Sequence, residues 1–139
     1  MLGTKKFLTL AAVKRIAAAA EQEAVKNHWN VVVTVVDDGA NPLYMQRMDN
    51  TQLGSVDVAL QKARAAVLFK RPTKALEDIV SGGRTVMMSM KNLVPVEGGL
   101  PLMDGDTILG AIGVSGVTSA QDAQIARAGV EELARILAA

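Results

Sequence analysis

Glu97-Gly98-Gly99-Leu100-Pro101-Leu102-Met103-Asp104-Gly105-Asp106-Thr107-Ile108-Leu109-Gly110-Ala111-Ile112-Gly113-Val114-Ser115-Gly116 decides the fold of this 139-residue chain. The stretch opens with a glycine pair and places an Asp104-Gly105 hairpin signal between Leu102-Met103 and Thr107-Ile108. A strand of small residues then runs to about Ser115 and leaves through Gly116 into a helix. Glycine loses more backbone freedom than any other residue when it enters a strand. Its density here therefore predicts close backbone approach and a site walled largely by main chain. Pro101 has no amide donor, which predicts an edge position or a strand start.

Upstream, Val31-Val32-Val33-Thr34-Val35-Val36 is β-branched throughout and apolar except for Thr34. Such a run suits a central strand buried on both faces. Asp37 to Pro42 is dense turn chemistry, and Leu43 to Met48 reads as the return strand of a second hairpin. Around the hairpins the period changes to that of helices. Thr9 is placed to cap a helix to about Asn27, with Leu10, Val13, Ala17, Ala20 and Ala24 in one stripe. Ser55 is placed to cap a second, with Val56, Ala59, Leu60, Ala63 and Val67 inward. Arg71-Pro72 breaks it, Thr73 restarts a short helix to about Val80, and residues 84–92 read as loop or broken helix. Ser119 is placed to cap the last helix, with Asp122 at the capping-box position. The order predicts an α/β fold, one single domain over residues 1–139. Its mainly antiparallel sheet is flanked by helices, the terminal ones on one face and the middle ones on the other.

Composition narrows the chemistry. Net charge is +1 and no basic stripe with interleaved aromatics occurs, so no nucleic-acid partner is expected. Cysteine is absent, which excludes disulfides, thiolate metal sites and cysteine nucleophiles. Lys5-Lys6 before an apolar run imitates a signal peptide, but the run ends at Lys14-Arg15, so an amphipathic helix is the better reading. No segment reaches membrane-spanning length, and a cytoplasmic location is the expectation. The glycine run lacks dinucleotide-fingerprint spacing, and no Gly-Lys-Ser/Thr phosphate loop is present.

The chain resembles the GlcG/HbpS-like family, which includes the C-terminal domain of PduO proteins. The resemblance covers nearly the whole chain. It rests on Val35-Val36-Asp37, Arg47-Met48-Asp49, Ala59 with Lys62-Ala63, Gly98-Gly99-Leu100-Pro101, Gly110 to Gly116, and Gln121-Asp122 with Ala126 and Gly129. It implies a profilin-like or PAS-like sandwich and assembly into a homo-oligomer. Some members bind haem, and PduO-linked members are associated with corrinoid metabolism. The implied function is a haem- or corrinoid-binding accessory or sensor protein in a catabolic pathway. The short, Met-rich segment between residues 80 and 95 departs from a longer, Gly-rich loop in many relatives.

The residues offer two chemistries for a small-molecule ligand. As a binding site, Gly98 and Gly99 form one wall, and Ser115, Gly116 and Ser119 form the other at a helix start whose amides favour an anion. Arg47 is suited to clamp a carboxylate or to pair with Asp37 across the hairpin, and the resemblance adds Lys62. His28 is the only imidazole that could ligate a haem or corrinoid, with Met88 or Met90 as thioethers. As a cofactor-free enzyme on a small carboxylic acid, the chain would use Glu97 or Asp122 to move a proton. The bland counterparts are a solvated Glu97, a capping Ser119 and Asp122, a surface His28, and Gly110 and Gly113 serving helix packing. No cluster of metal-binding side chains is expected, and a ligand-free structural oligomer is the third reading.

Overall fold

β1 (Val32–Asp37) is the strand on which the rest is assembled. It pairs antiparallel with β2 (Pro42–Arg47) on one side and with β4 (Thr107–Ser115) on the other, and β4 pairs antiparallel with β3 (Gly99–Asp104). The computed structural model describes residues 1–139 and gives a four-stranded sheet of order β2-β1-β4-β3. The valine-rich run is thus central, and Pro101 lies on an edge strand, where a missing amide costs no ladder bond. Asp104 stays paired with Thr107, so the turn residues are Gly105-Asp106, one position later than Asp104-Gly105.

Four helices complete the α/β fold: α1 (Leu10–Lys26), α2 (Ser55–Leu68), α3 (Thr73–Ser81) and α4 (Ser119–Ala138), with a 3-10 turn at Thr85–Ser89. Alternation along the strands sorts side chains between two layers. Val33, Val35, Ile112 and Val114 enter the main core with Val13 and Ile16 of α1 and Ile125 and Leu133 of α4. Val36 and Ala111 point the other way, onto Ala63 and Ala66 of α2. Arg15 to Glu132 (2.6 Å) and Gln124 to Glu23 (2.7 Å) tie α1 to α4. Those partners hold both carboxyls below their ordinary values.

Helix ends show where local chemistry won. Thr9 caps α1 by accepting the Ala12 amide (3.1 Å). At the other end His28 takes φ 59, its amide bonding to Val25 O and the Trp29 amide to Ala24 O. This paired closure is a Schellman motif, and it is the structural job of His28. The starts of α2 and α4 correct the expectation. Gly54, not Ser55, is the cap of α2. Thr118, not Ser119, caps α4 in a reciprocal capping box with Gln121. In both cases the helix begins one residue earlier, which leaves the Ser55 and Asp122 side chains free to turn inward. Asp37 and Arg47 do not pair, because the antiparallel register sets Arg47 opposite Val32 at the far end of the hairpin. Asp37 instead accepts the Gly39 and Asn41 amides of its own turn (2.9 Å each).

One buried polar atom has no partner: the hydroxyl of Thr34, in the middle of β1. An unpaired buried hydroxyl costs about 1–3 kcal/mol. Thr34→Val should therefore raise stability by about 1 kcal/mol, read as a higher urea midpoint at unchanged slope. An unchanged or lower midpoint would mean that the hydroxyl has a partner after all.

Candidate functional site

The inward stripe of α2 is Ala59, Lys62, Ala63 and Ala66, and one member carries a charge. Lys62 is only 2% exposed. Its Nζ donates to Val114 O of β4 (3.0 Å) and to Asp122 Oδ2 of α4 (3.0 Å). Asp122 is equally buried, and its Oδ1 accepts the Val117 amide (3.1 Å) from the turn before α4. Burial raises the Asp122 carboxyl above its ordinary value, while Lys62 and the Val117 and Gly116 amides oppose that rise. Each member of the pair thus has a second hydrogen-bond partner besides the other, Val114 O for Lys62 and the Val117 amide for Asp122, as burial of such a pair requires.

The glycine pair is shaped around this ammonium. Gly98 has φ 134, and a Cβ there would lie 2.7 Å from Lys62 Nζ and 2.8 Å from Val114 O. Gly98 O accepts the Val114 amide (3.0 Å), and the Gly99 amide donates to the buried Thr73 hydroxyl (2.9 Å). Beside it, Ser115 ties the end of β4 to the start of α2, its hydroxyl bonding to that of Ser55 (3.0 Å). The two exposed-backbone segments expected to wall a pocket are therefore neighbours. The space between them holds the Lys62 side chain and its ion pair.

The remaining candidates lie apart from this centre. Glu97 is half-buried, and its amide donates to Glu77 Oε1 (3.2 Å). Gly116 and Ser119 are half-buried at the turn into α4. Arg47 is exposed and lines two shallow depressions with Asp49 and Asn50, of about 400 and 610 Å³. His28 is exposed at the end of α1, and Met88 and Met90 are exposed around the 3-10 turn. No helix is long and apolar enough to cross a membrane.

A concavity that sequence reasoning did not find is mostly apolar. Leu100, Pro101 and Met103 of β3 and Val130 of α4 form its floor, Lys70 and Arg71 stand beside it, and its volume is about 410 Å³. The only local signals for it are the Arg71-Pro72 break and the edge proline.

Comparison with known proteins agrees with this architecture. The family model described as "Haem degrading protein HbpS-like" matches residues 8–131. The chain is 42% identical to Protein GlcG of Escherichia coli over 112 residues, covering 81% of this chain and 84% of that protein. A double mutant of Streptomyces reticuli HbpS superposes with a TM-score of 0.85 at 33% identity, covering 94% of this chain and 89% of that one. A structure described as a PduOC:Heme complex superposes at 0.83 with 28% identity, covering 91% of this chain and 95% of that one.

Proposed function

We propose that this chain, which belongs to the HbpS-like family, is an accessory or sensor protein that binds a haem- or corrinoid-type macrocycle and works as a homo-oligomer. The observation that carries the reading is the fold shared along nearly its whole length with a relative described in complex with haem. Shared fold alone does not fix chemistry, so the residues must also suit the ligand. The residue types do fit: a mostly apolar concavity that includes a thioether at Met103, and cations without acidic partners to receive carboxylates. When bound, a haem supplies an iron centre for ligand sensing or redox chemistry. This chain's residues hold the ring, meet its carboxylates and limit solvent around it.

The alternative, a cofactor-free enzyme on a small carboxylic acid, has no specific observation in its favour. Asp122 is enclosed with Lys62, and Glu97 shares no concavity with it. The deciding experiment is an absorbance titration of purified protein with hemin and, separately, with a corrinoid. The expected result is a saturable Soret shift or corrinoid band shift absent from an unrelated protein of similar size. If neither ligand gives a saturable change, the macrocycle reading is wrong.

A further inference from the structure

We infer that the groove between β3 and α4 is where the carboxylate-bearing macrocycle docks, its apolar face on Leu100, Pro101, Met103 and Val130 and its carboxylates on Lys70 and Arg71. The inference rests on the proposed function for the identity of the ligand. Its place rests on this structure alone.

Three observations converge on the groove. It is the one concavity of the chain whose surface is overwhelmingly apolar; the others are walled mainly by polar and charged groups. A flat hydrophobic ring gains by leaving water only against such a surface. Two adjacent cations stand beside it, and neither Lys70 nor Arg71 has an acidic partner anywhere in the fold. Arg71 uses Nε on Phe69 O (2.9 Å), which leaves the outer nitrogens of its guanidinium free for a carboxylate. A ligand with an apolar body and anionic edges matches this charge pattern, whereas a neutral apolar ligand would leave both cations unused.

The backbone supports the same assignment. Lys70 sits at φ 52, just past the end of α2, with the Arg71 amide bonded back to Ala66 O (3.2 Å). Glycine or asparagine is the usual occupant of that left-handed position. A lysine there gives up backbone ease and places an ammonium at the mouth of the groove. Pro101 acts in concert: it blocks strand addition along the β3 edge, so the groove is kept for a ligand and not for another strand.

The test compares three proteins, wild type, K70E/R71E and H28A, titrated with hemin and with metal-free protoporphyrin IX as the free acid and the dimethyl ester. Lys70, Arg71 and His28 are all exposed, so the variants should fold, and circular dichroism checks that they do. The expected result is at least a tenfold weaker affinity for hemin and for the free acid in K70E/R71E. H28A should stay within threefold of wild type, and the ester should bind wild type at least tenfold more weakly than the acid. Affinity unchanged in K70E/R71E, or an ester that binds as well as the acid, would overturn the groove while leaving macrocycle binding intact. Loss of binding in H28A alone would overturn it equally. A wild type that binds none of these probes overturns the groove, and the functional proposal falls with it only if a corrinoid also fails to bind.

Discussion

Lys62→Met should cost about 3–5 kcal/mol of folding stability, the usual penalty for removing one partner of a buried ion pair. Methionine matches the length and the apolar stem, so the loss reports the ammonium, its charge and its hydrogen bonds together. Without the ammonium, Asp122 stays enclosed with an uncompensated oxygen, and Val114 O loses its donor. Domains of this size are stable by only about 5–15 kcal/mol, so the variant should be close to unfolding at ordinary temperature. The double variant Lys62→Met/Asp122→Leu should recover most of that loss, because replacing both charges with apolar groups removes the unpaired one. Urea denaturation of wild type, both single variants and the double variant closes the cycle. Single losses below about 1 kcal/mol, or losses that simply add, would mean that the pair does not brace the fold.

Gly113→Val should be the other severe change, costing at least about 3 kcal/mol. β4 passes so close to α2 that a Cβ on Gly113 would lie 2.6 Å from the Ala63 amide nitrogen, and closer still to the Ala59 carbonyl oxygen. Those atoms are helix backbone and cannot rotate aside, so α2 would have to lift from the sheet and take Lys62 with it. Gly54→Ala is the contrast. Nothing lies within 4 Å of a Cβ there, and the expected change is within about 1 kcal/mol of wild type. Thermal melts of the two variants side by side would check both. A Gly113→Val protein as stable as the Gly54→Ala protein would show that the helix is not seated as described.

The parts of the fold written in local periodicity were legible without coordinates. The β-branched run of residues 31–36 is the central strand, Pro101 marks an edge, and the order of elements set the terminal helices and α2 on opposite faces. Helix starts slipped by one residue where two capping candidates stand side by side, at Gly54-Ser55 and Thr118-Ser119. That single-residue slip matters, because it turned Asp122 from a presumed cap into a buried partner. Lys62 carried a signal that could have been used: it stands three residues after Ala59 and four before Ala66, within the inward stripe. Its partner is 60 residues away, and no local pattern connects the two. The apolar groove was invisible for the same reason, since the end of α2, β3 and α4 meet only in the folded chain.

Two claims stand together: the glycine-walled interior is closed by an ion pair, and the proposed ligand docks outside it on the apolar groove. A crystal structure of the protein saturated with hemin tests both at once. The expected result is the macrocycle against Leu100 and Val130, with its carboxylates near Lys70 and Arg71, and Lys62 still bonded to Asp122 and Val114 O. A macrocycle inserted between Gly98-Gly99 and the 115–119 turn, with Lys62 displaced from Asp122, would contradict it.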